Sequence, residues 1–185
     1  MCATYVLSEK DNEEIAQIIS EINQRSREKV NTGDIYPNTK APVLLSGGPQ
    51  MMLWGFPRFS GSGVVYNARS ETALEKTMFK ESVEKRRCAV PATAFFEWSK
   101  DKKKYSFWLP GNKTLYLGGC YSEFQGVRRY TILTTAANAS VSPVHHRMPL
   151  ILHKDILDEW FENPVEVPGI LRASQPELVQ RLADS

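Results

Sequence analysis

The sequence predicts an α+β fold, and three observations carry that prediction. A helical pattern near the start, a long central run of β-branched and aromatic segments, and a return of helical patterning near the end come in blocks rather than in strict alternation. With 185 residues, 42% of them hydrophobic and 24% charged, the chain suits one domain with a sizeable core, so a single domain over residues 1–185 is expected.

Residues 3–7 read as a short strand. Ser8 and Asp11 offer N-caps to the segment EEIAQIISEINQRSREKV, in which Ile15, Ile18, Ile19 and Ile22 recur on one helical face and read as a core-packing stripe. Residues 31–48 are rich in Gly, Pro and Asn and read as a loop, with Val43, Leu44 and Leu45 as a strand inside it. The apolar, aromatic segment MMLWGFPRF follows, then a flexible SGSG. Thr72-x-x-Glu75 is a capping box that predicts a helix through ALEKTMFKESVEKRR, with a break near Phe79. From Cys88 to Thr135 the runs CAVP, AFFEW, KYSFWL, TLYLGGCY and RYTILTT, separated by turn residues, read as consecutive strands of one sheet. RMPLILH adds another strand. Helix is expected again over KDILDEWFEN and after a second capping box, Ser174-x-x-Glu177.

Several classes are excluded. No apolar run is long enough to span a bilayer, and MCATYVLSEKDNEE lacks the pattern of a secretory signal, so an intracellular protein with reduced thiols is expected. Cys2, Cys88 and Cys120 are far apart and odd in number, which argues against both a zinc site and a disulfide framework. No metal and no cofactor is expected. A net charge of +2 does not mark nucleic-acid binding. The clusters Lys85-Arg86-Arg87, Lys102-Lys103-Lys104 and Arg128-Arg129 read as solvated surface.

Four places could carry chemistry. Residue 2 is small enough for Met1 to be removed, and a chain beginning at Cys2 presents a 1,2-aminothiol. Its amine can form a Schiff base with an aldehyde, and its thiol can then close a five-membered thiazolidine. An α-amine has a pKa of about 7.7–8.0, so roughly a tenth is neutral at pH 7; a thiol near 8.5 supplies a few per cent thiolate without special tuning. Glu97 lies in AFFEW, opposite in strand alternation to Phe96 and Trp98, either facing solvent or acting as a carboxyl of raised pKa fit for acid–base work. His145 and His146 are two of only 3 histidines; either strand alternation sends one inward and one outward or the pair is a polar loop entering a strand, and the third, His153, begins a surface helix. Asn67, Arg69, Ser70 and Glu71 form YNARSET, where Asn67 can orient an amine or thiol and Arg69 can hold a phosphate, or the whole segment can be a strand-to-helix turn. Tyr36, Pro37, Trp54 and Phe56 could stack on bases or belong to the core.

In combination and order, MC, NARSET, RCAVPATAFFEW, ILTTAAN and VHHRMP resemble the SOS-response-associated peptidase (SRAP) family of abasic-site processing proteins. The resemblance runs from Cys2 to about Trp160. It implies a mixed, barrel-like β core flanked by helices, binding to abasic sites in single-stranded DNA, and a covalent thiazolidine crosslink that shields the lesion. It implies Cys2 as nucleophile, with Asn67, Glu97 and His145 as its catalytic partners. It also implies DNA contacts from Arg69 and Arg147, and from Trp54, Pro37, Thr135 and Met148. Ala3 and Thr4 stand where the family usually has Gly-Arg, and WGFPRF is shorter than the usual aromatic segment. Weak lyase activity and self-removal of Met1 fit the same chemistry. Two rivals remain: a thiol peptidase built on Cys, His and Glu, and a single-stranded DNA-binding module that does not react.

Overall fold

The computed structural model describes residues 2–10, 12–26 and 29–183. The chain opens with β1 (Tyr5–Leu7) and α1 (Glu13–Arg25), followed by β2 (Gly33–Ile35), β3 (Lys40–Leu45) and β4 (Gly48–Trp54). The short β5 (Phe56–Pro57), β6 (Val64–Val65) and β7 (Asn67–Arg69) lead to α2 (Lys80–Lys85). The central run is β8 (Arg87–Ala92), β9 (Ala94–Trp98), β10 (Lys104–Trp108), β11 (Leu115–Phe124) and β12 (Val127–Ala136). The chain then passes through β13 (Arg147–Pro149), β14 (Ile151–Leu152), α3 (Leu157–Glu162), α4 (Val167–Ile170) and β15 (Val179–Leu182).

The central strands do not form one sheet. They divide between a closed barrel and a second sheet. Strands β12, β4, β3, β8 and β11 pair in that order, and β11 pairs again with β12, so five strands close on themselves. The closing β11–β12 pair is a hairpin turned by Gln125 (φ 52°) and Gly126 (φ 78°), two left-handed residues of the kind a tight two-residue turn needs. Along its other edge β12 takes two parallel neighbours in succession. Arg129 and Tyr130 oppose Leu53 and Trp54 of β4, and Ile132, Leu133 and Thr134 oppose Asn67, Ala68 and Arg69 of β7. The second sheet has the order β15-β10-β9-β1-β2. Its inner residues, among them Tyr5, Phe95 and Phe107, are fully buried in the same core as the barrel interior. The α+β expectation and the barrel-like core both hold.

Helix α1 is set by the isoleucine stripe: Ile15, Ile19 and Ile22 are buried and Ile18 is partly so. Its cap is Asn12, whose Oδ1 accepts from the Ile15 N–H at 3.0 Å, rather than Ser8. Asp11, the other expected cap, lies outside the described residues. Asn12→Ala should lower stability by about 1 kcal/mol in urea titration, since it strips the cap and the Thr114 hydroxyl bonded to the same oxygen at 3.0 Å.

Both capping-box helices differ from expectation. After Thr72 only separate turns form, one on the Thr72 carbonyl, which accepts from Glu75 and Lys76 N–H at 3.0 Å each, and one on the Lys76 carbonyl, which accepts from Phe79 and Lys80 N–H at 2.9 Å each, and regular helix starts at Lys80. Ala73, Leu74, Met78 and Phe79 all pack into a second apolar cluster under α3, and this packing overrides the helical preference of the segment. The Ser174 segment is extended and ends in β15, paired with β10. Pro176 disfavours helix at Gln175, and the Gln175 side chain instead accepts from the Ile151 N–H at 2.6 Å. The basic run at 85–87 is also not all surface. Arg87 is buried and donates to the carbonyls of Val83 (3.0 Å), Phe161 (2.9 Å) and Trp160, closing the ends of α2 and α3.

Trp54 belongs to the core. It is fully buried, stacks parallel to Tyr130 at 6.2 Å, lies 5.2 Å from Tyr5 and donates its Nε1–H to the Tyr66 carbonyl at 2.9 Å. It has no face to offer a base, which corrects the expectation of a stacking role. Phe56 is likewise fully buried, in the second cluster.

Candidate active site

Four of the singled-out residues converge at one rim of the barrel, each delivered by a different segment. Cys2 precedes β1, which is held antiparallel between β2 and β9. The Phe96 N–H donates to the Thr4 carbonyl at 3.0 Å, fixing the chain just after Cys2. Asn67 starts β7, and its Nδ2 donates to the Cys2 carbonyl at 2.8 Å. Its Oδ1 is buried and has no hydrogen-bond partner among the described residues. Glu97 lies on β9 between Phe96 and Trp98, and the alternation decides between the two readings of it. Phe96 and Trp98 lie on the outer face, where the Lys104 ammonium sits 3.7 Å from the Phe96 ring centre. Glu97 turns inward and is 1% exposed.

The histidine pair lies in the loop entering β13 rather than on a strand, and the two rings sit side by side, with centres 4.5 Å apart. His145 is half-buried, with Nδ1 3.8 Å from Glu97 Oε2, while His146 is exposed beside it. The Arg147 N–H donates to His145 Nδ1 at 3.1 Å, and the Arg147 carbonyl lies 3.1 Å from the same atom. Burial lowers the pKa of His145, so the ring is held neutral near pH 7. Burial raises Glu97 to about 7, which leaves both its acid and its base form populated near neutrality. The Cys2 thiol, fully buried and beside Glu97, is pushed well above the usual thiol range. The few per cent thiolate expected of a free cysteine is therefore not present here, because desolvation penalises the charged form.

The expected DNA-contact residues scatter more widely. Arg69 is exposed on β7, and Pro37 and Thr135 are half-buried. Met148 is fully buried, and its sulfur accepts from the Asn138 N–H at 3.4 Å, so it is a core residue rather than a contact. Arg147 is 9% exposed and committed internally. Its guanidinium grips both carboxylate oxygens of Glu71, at 2.6 and 2.9 Å, and donates to the Thr134 carbonyl at 2.6 Å. An open phosphate-binding fork at Arg147 is corrected accordingly. The partner Glu71 stood in the NARSET motif, but nothing in the sequence tied it to a residue 76 positions away.

The profile of the family described as SOS response associated peptidase (SRAP) matches residues 1–181. The chain belongs to the SRAP family. Among curated relatives, the SRAP chain is 34% identical over 116 residues to the abasic site processing protein YoaM of Bacillus subtilis, covering 58% of this chain and 51% of that one. It is 23% identical over 180 residues to the abasic site processing protein YedK of Escherichia coli, covering 89% and 81%. The chain thus spans about half the length of the first curated relatives it matches. Among solved structures, a protein from Bacteroides thetaiotaomicron superposes with a TM-score of 0.79 at 24% identity, over 99% of this chain and 92% of that one. A Bordetella bronchiseptica protein gives 0.78 at 18% identity over the whole of both chains. These two likenesses bear on the fold alone.

Proposed function

We propose that this SRAP chain captures abasic sites in single-stranded DNA covalently, through Cys2 after removal of Met1, and so shields the lesion as a thiazolidine. The observation that carries this reading is the convergence of Cys2, Asn67, Glu97 and His145 at one rim, in a family whose curated relatives are named abasic site processing proteins. Glu97 in its protonated form donates to the ring oxygen of the closed sugar, releasing the C1′ aldehyde. The Cys2 amine adds to that carbon and water leaves, giving a Schiff base. The thiol then adds across the C=N bond, sulfur to carbon and hydrogen to nitrogen. Because the buried thiol is neutral, its proton must pass to Glu97 or His145 as the sulfur attacks. Asn67 orients the Cys2 end of the chain through its carbonyl, with its unpartnered Oδ1 available to the amine.

Intact nucleotides offer no electrophile at this position, so selectivity comes from the aldehyde. The DNA backbone is held by exposed Arg69, with Thr135 one residue along β12 from its strand partner Thr134 and Pro37 as a further contact, and with little dependence on base sequence. Weak strand cleavage by β-elimination from the Schiff base accompanies capture. The raised pKa of Cys2 weighs against a thiolate peptidase, which needs the opposite shift.

The test mixes purified protein with an oligonucleotide carrying one abasic site and resolves the mixture on a denaturing gel. A heat-stable shifted band is expected from protein whose intact mass shows Met1 absent, and Cys2→Ala should abolish it. No band from correctly processed wild-type protein would sink the reading, and an undiminished band in Cys2→Ala would move the nucleophile elsewhere.

A further inference from the structure

We propose that Glu71 is a positioning residue for His145, acting through Arg147. The chemistry asked of His145 rests on the reading above, but the structural tie does not. His145 Nδ1 faces two groups of one peptide neighbour. The Arg147 N–H donates to it at 3.1 Å, and the Arg147 carbonyl stands at the same distance. The neutral ring accepts from the N–H, which puts its own proton on Nε2. The protonated ring can donate from Nδ1 to the carbonyl instead. One residue therefore serves both protonation states of His145, provided that its backbone stays still.

Glu71 is what keeps it still. The Arg147 backbone pairs with β12 at Ala136, at the end of the short strand β13. Its side chain runs back under that strand, donates to the Thr134 carbonyl and hydroxyl at 2.6 and 3.2 Å, and ends in the two-point grip of Glu71. A planar guanidinium bound at both nitrogens has a fixed orientation, so the grip transmits to the peptide that carries it. The carboxylate is the lesser-buried partner, with its side chain 46% exposed against 11% for Arg147. Arginine charge held this close to a histidine disfavours imidazolium, and Glu71 offsets that charge. Among the described residues, the other titratable groups facing His145 include Glu97 from β9, at 3.8 Å, and His146, whose ring centre is 4.5 Å away, and the positive charge of the N-terminal amine also disfavours imidazolium.

Glu71→Gln tests the proposal with two separate measurements. The first is an NMR titration of His145 by the 15N shifts of its ring nitrogens, made on the free protein. The midpoint should move to lower pH, because Arg147 loses its counter-charge, and the neutral ring should become a mixture of tautomers. The second is the single-turnover rate of crosslinking to abasic DNA, expected to fall about 10- to 100-fold with affinity for intact single-stranded DNA unchanged. An unaltered His145 midpoint and tautomer in Glu71→Gln would overturn the proposal whatever the rate. If that variant does not fold, Glu71→Asp takes its place, with a mixed tautomer expected and a ring still locked on Nε2–H overturning the proposal. Absence of crosslinking in the wild type would remove the functional reading and leave the titration to decide the role of Glu71.

Discussion

Glu97→Gln is expected to slow capture of abasic DNA by about 10²- to 10⁴-fold, the usual range for loss of a positioned acid–base group. Glutamine fills the same space in the wall between Phe96 and Trp98 but can neither protonate the sugar oxygen nor take the thiol proton. The change should also alter stability, and with a definite sign. Burial raises the folded-state pKa from the ordinary 4.5 to about 7. The folded protein therefore binds this proton more tightly than the unfolded chain does. The stability this contributes is fully present below about pH 4.5 and is lost as pH rises through about 7. A glutamine at this position has no such loss, so the variant should gain on the wild type across that window, by roughly 1–3 kcal/mol at its upper end. Urea denaturation from pH 4 to pH 8, run beside single-turnover crosslinking, reads both effects. An unchanged rate would remove Glu97 from the chemistry, and a variant less stable than wild type above neutral pH would contradict its burial as a charged group.

Trp54→Ala is expected to be the most damaging single change to the fold, costing about 3–5 kcal/mol. The indole is fully buried among Tyr5, Tyr66 and Tyr130, so its removal leaves an aromatic-lined void in the barrel interior. It also removes the donor to the Tyr66 carbonyl, which lies directly before Asn67, so the effect reaches the site through one peptide. Thermal and urea unfolding measure the loss. A change of under 1 kcal/mol with weakened DNA binding would restore Trp54 to the DNA-contacting set.

The elements legible in the sequence were those governed by local periodicity. The isoleucine stripe of α1 and the alternation in AFFEW give the correct faces, whereas His145 and His146 lie in a loop before β13, where alternation does not apply. The two capping boxes misled because a box records only the first turn, and tertiary packing at Met78 and Phe79 and the proline at 176 decided the rest. Closure of the barrel was not readable from the residues themselves, since parallel pairing of β12 with β4 and β7 is non-local; only the family resemblance anticipated it. At the site, the residue types were legible and their electrostatics were not. Neither the displaced pKa of Cys2 nor the enclosure of Arg147 by Glu71 follows from spacing, because both depend on which strands lie alongside.

The two hydroxyls that meet at 2.8 Å at the centre of the molecule, those of Tyr5 and Tyr130, are 125 residues apart in sequence. Such long-range closure makes this a fold of high contact order, slow to form compared with one built on local contacts. Cys2 emerges from the ribosome well before His145 and Arg147. Until then the cysteine is an ordinary thiol on an unfinished polypeptide, without the acid, the base or the enclosing wall. A chain truncated anywhere before β13 would keep an unburied Cys2 thiol, with thiolate at the ordinary level for a cysteine, but would lack Arg147 and the strand that places His145 beside Glu97.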